Sequence, residues 1–409
     1  MAIFSVPTNF DPCLIEGMAG HGVSEVYGKL QSDAVGGGRL SQLLPSLSFA
    51  DLRRHADLCR QQGMAFNYLL NASASDNMEY TRSGQRALAG LVDRLWAMGI
   101  TRFTVATPYL LRFLKSRYPG AWVKISVFAQ VGDARKARQW EDMGADEVVL
   151  DSLLVNREFH ILEDIRRSVK IPLQLLVNNN CDYGCSLSPY HMNVLASGSR
   201  RGSKTQGILP DYCYLHCTAQ KLREPERFLM ADWIRPEDLA HYERLGYDNF
   251  KLSGRNLPTE VLLRRLKAYH GRHYEGNLLD LIQDFGHTVK PDRSLNALGN
   301  RAGSVLTWLR HSAPLRIGAI RRLLNLSRKR GFISVPEVEP PVTIDNRALD
   351  GFLEPILGMN GCRNRVCGDC QYCHGIAKKA ITVRDASRQL ILKDQEVLVK
   401  EMESGAFWR

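Results

Sequence analysis

Over the first 290 residues, short apolar runs alternate with longer stretches in which apolar residues recur at helical spacing. The short runs predict strands beginning near Phe4, Glu25, Ala65, Phe103, Trp122, Glu147, Pro172, Phe228 and Asn249. Between them lie helical stripes such as Leu88, Leu91, Leu95 and Met98. Strictly alternating strands and helices mean parallel strands joined by crossover helices. This many units in such a length fit a (β/α)8 TIM-type barrel, in the α/β class, better than an open doubly wound sheet. No glycine-rich dinucleotide fingerprint follows a strand, and Gly36-Gly-Gly-Arg39 has the wrong spacing, reading as a flexible loop.

Alternation within the strands gives the barrel an inside. In Trp122–Gln130 one face carries Val123, Ile125, Val127 and Ala129, suited to packing against helices. The other carries Lys124, Ser126 and Gln130, with Phe128 between them. Asn67, Asn71, Asp151, Asn178, Asn180, Lys251 and Arg255 fall on that second face or at strand ends. Active sites of such barrels lie at the C-terminal ends of the strands. A mouth lined this way suits a polar or anionic small molecule, or the residues bond one another to close the barrel. The segment Trp233–Arg255 reads as strand–helix–strand. Pro236 opens the helix, Leu239, Tyr242 and Leu245 form its buried stripe, and Gly246 ends it. The following strand brings Lys251 and Arg255 to the rim, as a solvated edge or as a clamp for a carboxylate or phosphate.

Past residue 290 the pattern changes, giving three regions: a barrel over 1–290, a basic helical segment with a Pro-rich linker over 291–342, and a small C-terminal module over 343–409. Residues 301–336 hold eight Lys or Arg and no acid, including Arg321, Arg322, Arg328, Lys329 and Arg330. Leu315, Ile320, Leu323 and Leu324 can line an apolar face beneath that charge. Such a helix either contacts RNA or an acidic partner, or packs on a domain with its charge outward. Val335–Val342 reads as an extended linker.

The 409 residues are 44% hydrophobic with a net charge of +11, enough apolar content for a large core and a balance that admits an anionic partner. The first residues show no basic region followed by an apolar run, and nowhere do about 18 apolar residues run together. The expectation is a cytoplasmic protein without a membrane span. In a reducing compartment ten cysteines point to metal binding or catalysis before disulfides.

Eight of the ten fall into two quartets, with Cys13 and Cys59 apart. The first is two Cys-x3-Cys pairs, Cys181/Cys185 and Cys213/Cys217, whose residues, four apart, share one face of a helical turn. The second is Cys362, Cys367, Cys370 and Cys373, flanked or interrupted by Gly361 and Gly368. Closely spaced thiolates suit a ferredoxin-like cluster, and adjoining pairs also suit zinc. Iron–sulfur is favoured at both, more strongly at the first, where zinc knuckles of Cys-x2-Cys form are absent. The Cys-x3-Cys-x2-Cys signature of radical-SAM enzymes occurs in neither. His191 and His216 adjoin the first quartet as ligands, proton carriers or packing residues. Cys13 reads as a buried small hydrophobe before a nucleophile. No Ser/His/Asp constellation or His-Glu-x-x-His motif supports proteolysis.

Phe4-Ser-Val-Pro7, Gly22–Gly28, Trp233-Ile-Arg-Pro-Glu-Asp-Leu239, Phe250–Arg255 and Gly276–Leu281 resemble the corresponding runs of peptidase family U32. The resemblance implies a TIM barrel whose four cysteines, here Cys181, Cys185, Cys213 and Cys217, bind a [4Fe-4S] cluster. Members of this kind hydroxylate ubiquinone precursors or RNA pyrimidines without O2, some as paired subunits, with prephenate implicated as oxygen source. This chain differs in its tight cysteine spacing, its lack of a Ser-Gly-Arg-Cys run and its second quartet. The reading is therefore an iron–sulfur oxidoreductase that modifies, by hydroxylation, a small and anionic molecule. Lys251, Arg255, Asn178, Asn180 and His191 would serve the chemistry, and the second quartet would hold another cluster or zinc. An electron donor or second subunit is the implied partner. An RNA-modifying enzyme and a non-catalytic partner subunit are the alternatives.

Overall fold

The computed structural model describes residues 2–205, 209–283, 286–287, 317–332, 336–359 and 361–409. It forms two compact units. One comprises Met1–Gly207, Asp232–His273 and Leu353–Asn364, the other Ile208–Ala231, Tyr274–Phe352 and Arg365–Arg409.

The first unit is a closed barrel of eight parallel strands, as the alternation predicts. They are β1 (Ile3–Pro7), β2 (Val23–Gly28), β3 (Ala65–Leu70), β4 (Arg102–Val105), β5 (Trp122–Ile125), β6 (Glu147–Val149), β7 (Leu173–Leu176) and β8 (Asn249–Lys251). The strands pair in chain order, and β1 pairs with β8 to close the ring, Ser5 opposite Lys251. Phe4, Val6, Val26, Val123 and Ile125 are buried outward, against the helices. Several helices start on side-chain caps that satisfy their first free N–H groups. Ser48 and Asp51 form a reciprocal capping box for Phe49–Gln61, and Thr107 accepts from Leu110 ahead of Pro108. Helix Arg82–Ala97 buries Leu88, Leu91, Val92 and Leu95, while Met98 falls at its cap.

Three expectations about strands are corrected. Phe228 starts no strand: Pro225 fixes a 3-10 turn over Pro225–Phe228, and β7 pairs directly with β8. The strand from Trp122 stops at Ile125. Ser126 turns its hydroxyl onto the Phe128 nitrogen, capping a 3-10 turn at Val127–Ala129 that ends in left-handed Gln130. Trp233–Arg235 is buried but belongs to no named strand, and the helix after it is a 3-10 turn, Pro236–Asp238, running into Leu239–Glu243.

In the second unit, helices Tyr212–Arg223 and Ile317–Lys329 pack on helix Asp385–Glu403. Gln395 is fully buried and donates to the carbonyl of Leu215 at 2.8 Å. Strands β9 (Val342–Ile344) and β10 (Ile381–Val383) form a two-stranded antiparallel sheet, so the sequence expected as linker ends by entering a strand. The basic helix uses its charge within the unit: Arg322 pairs with Glu401, and Lys329 lies 2.6 Å from Asp394. Most of the basic segment, with Leu315 and Val335, lies outside the described residues. Among the described residues no helix is long and apolar enough to cross a membrane.

Candidate active site at the barrel mouth

Each strand contributes one inward polar residue to a buried girdle: Ser5, Glu25, Asn67, Thr104, Lys124, Glu147, Gln174 and Asn249. Lys124 Nζ stands between two carboxylates, 2.7 Å from Glu25 Oε1 and 2.9 Å from Glu147 Oε1. Ser5 and Asn67 donate to Glu25 at 2.7 and 3.0 Å, Thr104 to Asn67 at 2.8 Å, and Asn249 to Glu147 at 2.8 Å. Burial works against the charge on Glu25, but Lys124 and the two donors Ser5 and Asn67 outweigh it and hold the carboxyl below its ordinary value. Lys124 is likewise held above its ordinary value by the two carboxylates, against burial. Asn67 and Lys124 are thus structural: they floor the barrel.

Continuing the alternation beyond the strand ends leads to the mouth. From β2, past Glu25, come Tyr27 and Lys29; from β3 Asn71; from β5 Ser126; from β8 Lys251 and then Arg255. Lys29 is buried, 3.0 Å from Asp33 Oδ2, which also accepts the Tyr68 hydroxyl at 2.8 Å. Burial lowers the Lys29 ammonium below its ordinary value, with Asp33 opposing and Arg255 assisting. Burial, offset chiefly by Tyr27, brings Arg255 down to about 10, so it stays charged at neutral pH. Arg255 is 5% exposed, and its Nη1 has no hydrogen-bond partner. Such a buried, unsatisfied cationic donor is costly unless a ligand completes it. Lys251 lies with its nitrogen 4.2 Å from the centre of the Tyr27 ring. Burial, then Lys124, brings it down to about 7.

The loop expected to be flexible roofs this cluster. Residues 35–37 are buried: Asp33 accepts from the Val35 and Gly36 nitrogens, and Ser199 Oγ both accepts from Gly37 N at 2.7 Å and donates to Gly37 O at 2.9 Å. A Cβ on Gly37 would lie 2.8 Å from Asn71 Oδ1 and 3.2 Å from Lys29 Cδ, so the backbone sits directly on the site. Sequence reasoning missed Lys29, Asp33, Tyr68 and Ser199. Lys29 was within reach, being two places beyond Tyr27 in the inward register. Ser199 was not.

Asn178 is buried where β7 ends, clasping Ser253: it accepts Ser253 N at 2.6 Å and donates to Ser253 O at 3.3 Å. Asn180 is half-buried in the loop after β7, and His191 is half-buried on helix Ser188–Gly198. Asp151, at the end of β6, is pushed up to about 7, chiefly by burial. Cys59 is buried and its thiol is pushed up to about 12, an inert group. Cys13 is exposed rather than buried, because it opens helix Pro12–Gly17 on its outer side, and neighbouring Asp11 raises its thiol above the ordinary value, against nucleophilic use.

Each cysteine quartet is divided between the two units. In the first unit Cys181 N donates to Asp232 Oδ1 at 3.0 Å, and Asn179 binds the other carboxylate oxygen at 2.9 Å. Cys185 closes a turn onto Asp182 O after left-handed Gly184. In the second unit Cys213 and Cys217 are one turn apart on helix Tyr212–Arg223. Buried Arg330 sits over the Tyr214 ring at 5.0 Å and interacts electrostatically with Cys217. Of the second quartet, Cys362 N and Arg363 N both donate to Glu158 Oε1 at 2.7 Å in the first unit. Cys367 and Cys370 share the short helix Cys367–Cys370, and Cys373 opens the next, all in the second. The ten cysteines form no disulfide, and among the described residues no three His, Cys, Asp or Glu side chains form a ready cation site. The donor chemistry, paired soft sulfur ligands, fits an iron–sulfur group.

Residues 22–275 match peptidase family U32. An uncharacterised protease, MJ1657, of Methanocaldococcus jannaschii is 28% identical over 350 residues, covering 86% of each chain. Among solved structures, the U32 peptidase Mk0906 is 19% identical with a TM-score of 0.47, covering 62% of this chain and 93% of its own. A FabK mutant of Thermotoga maritima is 15% identical with a TM-score of 0.30, covering 62% of each.

Proposed function

The chain belongs to peptidase family U32, and from that premise we propose that it is an iron–sulfur enzyme that modifies a small anionic molecule without O2, by hydroxylation. The observation that carries the substrate class is Arg255, buried at the mouth with Nη1 lacking a partner. Around it stand two further amines, Lys29, paired with Asp33, and Lys251, which has no ion pair of its own among the described residues. An incoming carboxylate or phosphate would complete the Arg255 donors and balance the charge. Asp33 and Tyr68 hold Lys29 in place, and the Gly37 backbone limits the space above it.

Cys181, Cys185, Cys213 and Cys217 would hold a [4Fe-4S] cluster, which supplies one-electron chemistry when bound. Cys362, Cys367, Cys370 and Cys373 would hold a second group, iron–sulfur in this reading, as an electron relay. RNA is supported less, since Arg322 and Lys329 of the basic helix are engaged by Glu401 and Asp394.

Anaerobic calorimetry with phosphate and with pyruvate tests the mouth. Replacing Arg255 by Gln should weaken whichever anion binds by ten-fold or more, about 1.4 kcal/mol. Equal affinity in wild type and variant would remove the anion from this account.

A further inference from the structure

Three lysines reach the barrel interior, and two of them are matched by carboxylates. Lys124 lies between Glu25 and Glu147 on the floor, and Lys29 pairs with Asp33. Both are 1% exposed. Lys251 is different. Its side-chain nitrogen makes no ion pair or hydrogen bond among the described residues and rests on the Tyr27 ring, and at 9% the residue has some exposure. It is the last residue of β8, at the C-terminal mouth where barrel chemistry is done. Four residues further on stands Arg255 with its unpartnered Nη1. An amine without a counterion beside an anion-seeking guanidinium is the arrangement a carbonyl acid requires: one group for the carboxylate, one for the carbonyl carbon.

We propose that Lys251 is a nucleophilic amine that condenses with the carbonyl carbon of a 2-oxo acid whose carboxylate is held by Arg255. The proposal rests on the anion site described above and is independent of the iron–sulfur assignment. In the step, the nitrogen lone pair forms the carbon–nitrogen bond while the carbonyl oxygen takes up the electrons and a proton. Loss of that oxygen with the second amine hydrogen as water leaves the imine, with no change of oxidation state. The groups acting on Lys251 support a neutral amine. Burial, Lys124 and Arg255 disfavour the ammonium, while Glu25 and Glu147, one carboxylate more than Lys124 balances, favour it; burial is the largest of these influences and prevails. The Tyr27 ring also favours the ammonium, but through a face contact weaker than an ion pair. Protonated and neutral forms are therefore both populated near pH 7.

The test is reductive trapping on the full anaerobically purified chain, with pyruvate and phenylpyruvate as probes and cyanoborohydride as reductant. The expected product is one adduct per chain, heavier by the probe less one oxygen atom, mapping to the peptide that contains Lys251. The wild-type map alone decides the site. Lys251→Arg, which keeps a cation but not a condensing amine, should abolish the adduct. Adducts spread over surface lysines would overturn the proposal. So would the absence of an adduct under conditions where pyruvate binds in an Arg255-dependent way, an outcome that leaves the anion site standing. If pyruvate does not bind and no adduct forms, the proposal falls together with a 2-oxo acid as the ligand.

Discussion

Glu158 Oε1 accepts the backbone N–H of Cys362 at 2.7 Å, across 204 residues of sequence. The carboxylate is buried and also receives the Tyr183 hydroxyl at 3.2 Å, so the turn that begins the second quartet is held by a side chain of the barrel unit. The turn can approach this closely because Gly361 has φ +90° and no side chain. A Cβ there would lie 2.2 Å from Glu158 Oε2. Gly361→Ala should therefore cost about 1–3 kcal/mol of stability and deplete metal at the second quartet while sparing the first. Urea unfolding and metal content per chain check this. An unchanged midpoint with full metal content would show that Glu158 does not fix the turn.

Lys124 is the keystone of the girdle. Replacing it by Met would leave Glu25 and Glu147 buried without a counterion, which should cost about 3–5 kcal/mol. Adding Glu25→Gln and Glu147→Gln to that variant should recover part of the loss. A Lys124→Met protein as stable as the wild type in chemical denaturation would mean that the girdle contributes no electrostatic order.

Asp151 makes stability depend on pH in the opposite sense to an ion-paired carboxylate. Its folded value, about 7, exceeds the ordinary carboxylate range, so the folded protein binds the proton more tightly than the unfolded chain. Its contribution is complete in acid and is lost as pH rises from about 4 to about 7, amounting to ~4 kcal/mol at most. Asp151→Asn keeps an oxygen for the Leu153 nitrogen and should flatten that decline, leaving the variant the more stable above pH 7. Denaturation curves at a series of pH values give the slopes, and parallel slopes would exclude Asp151 as their source.

The barrel was legible because burial on both faces leaves a simple trace. Valines and leucines mark the helix-facing side, polar residues the inside, and eight of the nine expected strands exist. Phe228 misled because its apolar run is buried in a turn, and local hydrophobicity does not distinguish the two. Lys251 and Arg255 could be placed at the rim from register alone. Their setting could not: Lys29 and Asp33 come from beyond the end of β2, and Ser199 pins the Gly37 loop from 162 residues away. Whether a lysine is paired depends on long-range partners, so Lys124, with two carboxylates, and Lys251, with none, look alike in sequence. The basic helix was ambiguous for the same reason, until Glu401 and Asp394 appeared opposite Arg322 and Lys329.

The central claim is that the eight cysteines of the two quartets serve iron–sulfur chemistry. Counting iron, acid-labile sulfide and zinc per chain after anaerobic purification tests it most directly, with Cys181→Ser and Cys367→Ser prepared alongside. The account predicts about eight iron atoms with matching sulfide, falling by about half in each variant. Stoichiometric zinc without sulfide, or a chain holding neither, would contradict it.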